Sequence, residues 1–405
     1  MVAPKLRFQE FDGDWESKKL KDLTDILKCG VASTPKYVTE GGYPFLSAQN
    51  ISRNGEMNYS KVNNISDDFY KKISKTKLLK GDILYSRVGA SYGVAAIFDR
   101  EEEYGVYVSL THIRVNDTLN NIFLKQFLNS PKARIQAEQG VFQGGGVQNL
   151  NVGVVEEFNL TLPSKQEQTK IASFLSTVDE KINQLTQKHQ LLTQYKQGMM
   201  QKLFSQQIRF KADDGSEFRE WKIGKLGDIT SIQGGFAFKS TNFGKGMTKV
   251  IRIGDIEKNI NLDSFTGIYS NEIPDTRYLI SENAIVMALS GATFGKLGKV
   301  NQGYAYINQR VATFKVFEDS LNEFVYQIML SQEFTTYIQS IPSASAQPNI
   351  SNQDVINFEM MIPCLEEQTK IANFLSAIDQ KIEVTEQQIE QAKQWKKGLL
   401  QQMFV

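Results

Sequence analysis

Leu162-Pro163-Ser164-Lys165-Gln166-Glu167-Gln168-Thr169-Lys170-Ile171-Ala172-Ser173-Phe174-Leu175-Ser176 returns, 200 residues later, as Ile362-Pro363-Cys364-Leu365-Glu366-Glu367-Gln368-Thr369-Lys370-Ile371-Ala372-Asn373-Phe374-Leu375-Ser376. The register holds without a gap through Asp179/Asp379, Lys181/Lys381, Ile182/Ile382, Gly198/Gly398 and Phe204/Phe404. Repeats of roughly 20–50 residues mark solenoids and propellers. A period near 200 marks a duplicated domain instead. Each copy closes on the same long segment, so the chain is built to do one task at two places.

That segment reads as a helix. From Lys165 to Ser205 there is no proline, and Gly198 is the only glycine. Ile171, Val178, Leu185, Leu192 and Met199 fall at one heptad position; Leu175, Ile182 and Leu203 fall at the other. His189 and Lys196 interrupt the second position. The later copy matches with Ile371, Ile378, Ala392 and Leu399 against Leu375, Ile382, Ile389 and Met403, with Thr385 and Lys396 as polar exceptions. This is a coiled-coil seam, in which polar residues fix register. At about 1.5 Å per residue each helix is a rod of about 60 Å. Two apolar seams in one chain are best buried against each other.

The openings of the two halves also match. Leu6-Arg7-Phe8, Trp15, Leu20 and Asp22 correspond to Ile208-Arg209-Phe210, Trp221, Leu226 and Asp228. Each unit therefore starts with this segment, passes through a globular region and ends in the long helix. Two such units related by a two-fold axis place their helices antiparallel. That brings the end of the second helix back to the chain's own N-terminus, in a closed, roughly circular arrangement. The expected segments are 1–162, globular; 163–206, first long helix; 207–362, globular; and 363–405, second long helix.

The globular regions diverge but keep a skeleton. Lys80 to Gly93 and Glu282 to Gly295 each read as a strand entering a glycine-punctuated turn, with returning strands at Val94–Phe98 and Leu297–Val300. Ile122–Gln139 and Leu321–Gln339 have helical periodicity. A small-residue loop follows each, Gln143 to Asn151 and Ser343 to Ser351. The fold class is α+β: two pseudo-symmetric globular domains separated by two long helices packed as an antiparallel coiled coil.

Composition excludes more than it selects. At 405 residues two to four domains are expected. No run approaches 18 apolar residues and no secretory leader is visible, so no membrane partner is expected. Two cysteines, Cys29 and Cys364, suit a reducing cytoplasm, and two histidines have no ligand-like spacing. No phosphate loop, nucleophile–base pair or metal cluster can be assembled, and no Asn-Pro-Pro-aromatic methyltransferase motif is present. The net charge of +1 lacks the bulk basicity of most nucleic-acid binders.

The doubled Pro-x-x-x-Glu-Gln-x-x-Ile-Ala-x-Phe-Leu helix start resembles the specificity subunits of type I restriction–modification systems. So do the openings Trp15, Leu20, Asp22, Leu23 and Trp221, Leu226, Asp228, Ile229, and the loops Asn149-Leu150 and Asn349-Ile350. The resemblance covers nearly the whole chain. One departure is the Gly144-Gly145-Gly146 loop against Ser343-Ala344-Ser345. The resemblance implies a non-catalytic subunit whose two target-recognition domains each read half of a split, asymmetric sequence in double-stranded DNA. It implies two methyltransferase subunits around the helices and two restriction subunits (translocase and nuclease). S-adenosylmethionine, ATP and Mg2+ then belong to those partners, with none held by this chain, and the complex is cytoplasmic. Like helices suit identical partners and unlike readers suit unlike half-sites, about 34–36 Å apart or a little more.

Base readers are expected to be Arg, Lys, Asn, Gln, Ser or Thr on loops. The candidates are Ser86, Arg87, Ser91, Tyr92, Gln143, Gln148 and Asn149 in the first half. In the second they are Ser290, Thr293, Lys296, Arg310, Ser345, Gln347 and Asn349. The competing role is turn capping, which Ser and Asn perform on their own backbone. Lys36, Lys239 and Arg252 are candidates for phosphate contact. The competing function is a coiled-coil adaptor with two protein-binding modules and no DNA contact.

Overall fold

A computed structural model describes residues 3–33, 35–73, 77–139, 149–341 and 349–404. The chain forms two compact units: Met1–Gln187 with Glu386–Val405, and Lys188–Thr385. Each unit thus owns one globular region and a part of both long helices. The long helices run Lys165–Phe204 and Leu365–Met403.

The two units share a plan. In the first, the opening strand Glu16–Lys19 pairs antiparallel with Asn159–Leu162, the strand that leads into the long helix. In the second, Lys222–Lys225 pairs with Glu359–Ile362 in the same way. This pairing explains why the opening motif and the helix-start motif are repeated together. The main sheet of the first unit orders Thr24–Cys29, Leu110–Val115, Ile83–Ser86 and Ala95–Ile97, all antiparallel. The second unit repeats this order with Thr230–Gly234, Val311–Val316, Ile285–Ala288 and Leu297–Gln302, and adds Asn259–Asn261 in parallel. A smaller four-stranded sheet completes each unit.

The helical stretch expected over Ile122–Gln139 is two helices, Asn121–Leu128 and Pro131–Gln139. Proline is tolerated in a helix's first turn but not inside it. Asn129, between them, turns its side chain to the sheet, accepting from the Ala95 N–H at 2.8 Å and donating to the Ala95 carbonyl at 2.9 Å. The counterpart splits into Asn322–Met329 and Gln332–Ser340, where the Ser331 hydroxyl accepts from the Phe334 N–H at 3.2 Å.

The helix pair is antiparallel within each unit. In the first, Ile171, Leu175, Val178 and Ile182 share a core with Leu399, Leu400 and Met403. In the second, Met200 and Leu203 share one with Ile371, Ala372 and Leu375. The chain's start meets the end of the second helix, with the Leu6 N–H donating to the Gln402 carbonyl at 3.0 Å. One heptad assignment moves: Met199 is half-buried, while Met200 is buried. A helix with 3.6 residues per turn drifts about 20° per heptad. Four heptads from Ile171 amount to about 80°, close to the roughly 100° between adjacent residues.

Both lysines that interrupt the seam have partners. Lys196 pairs with Asp379 at 2.5 Å, and Lys396 with Asp179 at 2.5 Å. Each carboxylate also receives a bond from the shorter helix above it, from Gln126 to Asp179 at 2.7 Å and from Gln327 to Asp379 at 2.9 Å. The lysines and aspartates of the two nodes obey the 200-residue offset, and the glutamines are 201 apart.

Candidate nucleic-acid interface

The Glu-Gln pair at each helix start is a structural clamp. Glu167 receives two bonds from Arg7, at 2.8 and 2.7 Å; Glu367 receives two from Arg209, at 3.2 and 2.8 Å, and one from the Trp221 indole at 2.8 Å. Gln168 and Gln368 accept from the backbone N–H groups of Asn120 and Leu321, at 2.8 and 3.0 Å, where the next helix begins. Each also donates to the carbonyl of its own proline, Pro163 or Pro363, at 3.1 Å. The motif thus ties the opening segment, the globular region and the long helix into one body.

In each unit three segments converge at the end of the central strand. Ile83–Ser86 runs into a turn in which Gly89 (φ 76°) and Gly93 (φ 70°) are left-handed; Gly291 (φ 79°) and Gly295 (φ 80°) repeat this. Such φ values favour glycine, hence the shared Gly-x-x-x-Gly spacing. The loop before the last helical turn docks beside it. Leu150 N–H donates to the Arg87 carbonyl at 3.0 Å, and Ile350 N–H to the Leu289 carbonyl at 2.9 Å. The third segment enters through Arg87 N–H to the Ser109 carbonyl and Leu289 N–H to the Arg310 carbonyl, each 2.9 Å. Two stretches about 60 residues apart, singled out separately in the sequence, therefore form one junction per unit.

The first-half candidates are mostly committed within the fold. Ser86 is fully buried, 3.1 Å from the Ser91 hydroxyl, and Ser91 donates to the Ala48 carbonyl at 2.9 Å. Arg87 is buried and donates from Nε to the Leu150 carbonyl at 2.6 Å and from a terminal nitrogen to the Val108 carbonyl at 2.8 Å. Its charge is spent stapling the three segments together, which a reading of loop position alone did not foresee. Tyr92 is buried under Arg134, whose guanidinium lies 4.8 Å from the ring centre. Asn149 is exposed.

The second unit presents more. Arg310, Lys296 and Asn349 are exposed, and Arg310 reaches the Asn349 side-chain oxygen at 3.1 Å. Ser290 bridges to Asn349 in the backbone and is half-buried; Thr293, also half-buried, donates to the Ile253 carbonyl at 3.2 Å. Gln143, Gln148, Ser345 and Gln347 lie outside the described residues. Of the phosphate candidates, Lys36 and Lys239 are exposed, while Arg252 pairs with Asp255 at 3.3 Å.

His112 belongs to a buried structural cluster. Its Nε2 lies 2.7 Å from Asp82, which also receives two bonds from Arg114 at 2.8 and 2.7 Å. Burial pushes the Asp82 carboxyl up, but the bonds from His112 and Arg114 outweigh it and hold its pKa below the ordinary value. No group of three or more metal-binding side chains occurs among the described residues. No helix among them is long and apolar enough to cross a membrane.

A duplicated α+β unit on paired helices, with a polar loop junction in each copy, defines a two-headed reader. The family model for the type I restriction modification DNA specificity domain matches residues 12–194 and 219–394. The chain belongs to this family; it is a non-catalytic subunit that recognises DNA sequence. It is 25% identical over 420 residues to the type I restriction enzyme MjaVIII specificity subunit of Methanocaldococcus jannaschii, covering 97% of this chain and 94% of that one. Its fold is similar to the S subunit of a type I restriction–modification system from M. genitalium, with TM-score 0.62, 18% identity and coverage of 100% and 99%. A chain from a structure of type I restriction–modification complex assembly matches with TM-score 0.55, 13% identity and coverage of 97% and 98%.

Proposed function

We propose that each unit reads one half of a split, asymmetric sequence in double-stranded DNA through its three-segment junction. The carrying observation is that the junction's frame is repeated, down to the exposed Asn149 and Asn349, while the exposed Lys296 and Arg310 occur in the second unit alone. Lys296, Arg310 and Asn349 are exposed in the second unit, and Asn149 in the first. Arginine and lysine favour guanine and asparagine favours adenine, so unlike residues select unlike half-sites. Ser86, Arg87, Ser91, Tyr92 and Thr293 act by positioning these loops. Gln143, Gln148, Ser345 and Gln347 remain candidates for base contact.

In this reading the two repeated helices carry two methyltransferase subunits, and two restriction subunits join them in a cytoplasmic complex. The solved type I complex of similar fold supports such assembly. S-adenosylmethionine, ATP and Mg2+ serve those partners. The test is binding of the full chain, with methyltransferase subunits, to duplexes carrying a mapped methylation site. Scrambling either half of the site should cost several powers of ten in affinity at physiological salt. Binding of either scrambled duplex as tightly as the intact site would overturn the proposal.

A further inference from the structure

The first unit contains a basic groove that its duplicate lacks. A cavity of about 550 Å3 opens between the loop around Arg53, the helix Asn121–Leu128, the start of Pro131–Gln139 and the last turns of the second long helix. Its walls carry Arg53, Lys125, Arg134, Lys393, Lys396 and Lys397 against two carboxylates, Glu56 and Asp179. Asp179 is taken by Lys396, and Glu56 accepts from Asn183. Arg53, Lys393 and Lys397 have no ion pair or hydrogen bond among the described side chains. Lys125 is drawn inward, and burial pushes its pKa down despite Asp179.

The second unit is built differently at the matching places. Lys125 and Arg134 are replaced by Tyr326 and Thr335, and Lys393 and Lys397 by Thr193 and Gln197. Lys196 remains, bonded to Asp379, and Lys258 neutralises the other oxygen of that carboxylate at 3.0 Å. Like helices suit like partners on both halves. A cationic excess in one half alone does not serve a partner that binds both halves alike. It suits a ligand that is itself a polyanion and meets the first unit.

The groove is also continuous with the proposed reading junction. Gly93 and Val94, at the end of the glycine turn, form part of its wall. The loop leading to Arg53 is held to the same turn by the bond from Ser91 to the Ala48 carbonyl.

We infer that this groove seats the DNA backbone beside the first half-site, binding phosphates without reading bases. The inference rests on the DNA-reading function proposed above. Phosphate contacts position a protein on the duplex and supply its salt dependence, whereas base contacts supply specificity. The first unit buries its arginine Arg87 inside the junction, and the groove gives it a sequence-independent hold instead.

The test is the salt dependence of DNA binding by the full chain with its methyltransferase subunits. The triple variant Arg53→Gln/Lys393→Gln/Lys397→Gln removes three exposed charges that the fold does not use. Each phosphate contact contributes about 0.9 to the slope of log affinity against log salt, so the slope should fall by up to about 2.7. Between 50 and 200 mM salt that is about 40-fold less loss of affinity. Preference for both half-sites should be unchanged. A control, Lys5→Gln/Lys61→Gln/Lys72→Gln, removes equal charge outside the groove and should shift the slope much less. An unaltered slope in the groove variant, or equal shifts in groove variant and control, would overturn the inference while sequence-specific binding by the unmodified chain still upheld base reading. Loss of methyltransferase association with DNA affinity per complex unchanged would overturn it too, by making the occupant an acidic protein surface. Failure of the unmodified chain to prefer its site would instead sink the DNA-reading proposal.

Discussion

Glu367→Gln should loosen the second unit far more than Glu167→Gln loosens the first. Both carboxylates are buried, at 0% and 1% exposure, and both pair with an arginine from the unit's opening segment. Removing one partner of a buried pair costs about 3–5 kcal/mol. Arg7 and Arg209 keep 15% and 17% side-chain exposure, so water offsets part of the loss and the lower end, about 3 kcal/mol, applies to the pair itself. Glu367 additionally accepts from the Trp221 indole, whereas the Trp15 indole has no partner among the described residues. A hydrogen bond to a charged group adds about 1.5–3 kcal/mol. The chain has two compact units, so one global unfolding energy is ill-defined. Hydrogen exchange resolved by peptide reads each unit by itself. Exchange in Lys222–Lys225 and Glu359–Ile362 should quicken by about three to four powers of ten in Glu367→Gln, at about 1.4 kcal/mol for each. Glu167→Gln should quicken Glu16–Lys19 and Asn159–Leu162 by about two. Equal effects in both units, or a larger one in the first, would refute the clamp.

Leu185→Asp puts a charge into the buried seam, where Leu185 is 8% exposed, at a cost of several kcal/mol. Thermal melting and the mass of the assembled complex should both fall. Arg310→Ala should relax one half-site and cost about 1–3 kcal/mol for a lost base contact, read by competition binding. Arg87→Ala should instead destabilise the first unit, seen as faster exchange near Leu150, because its guanidinium holds two backbone carbonyls. Asp82 has a lowered carboxyl pKa in the fold, so its contribution is full above the ordinary value of about 4 and is lost as pH falls through the folded value. Asp82→Asn should therefore be less stable than the unmodified chain at pH 7, with the gap closing in acid denaturation curves below about pH 4.

The helices were legible because a 200-residue repeat and a heptad seam are both patterns of residue identity that can be read without knowledge of the fold. The same repeat located the two loops of each junction, since glycines with left-handed φ mark turns. What the sequence hid was direction. Arg87 and Arg310 look alike as loop arginines, yet one is buried on backbone carbonyls and the other is exposed. The role of the Glu-Gln motif was hidden for a similar reason: Arg7 and Glu167 are 160 residues apart. The basic groove draws on stretches around 53, 125 and 393, and net charge averages it away. A comparison of the two copies, Lys393 and Lys397 against Thr193 and Gln197, already carried its signal.

The central claim, that two like frames read two unlike half-sites, is tested most directly by methylation mapping. Residues 221–362 are exchanged for the corresponding region of another specificity subunit, and methylated sites are sequenced in cells that carry the cognate methyltransferase. The account predicts that one half of the split site changes while the other half and the gap between them stay the same. A change in both halves, or in the gap alone, would contradict it.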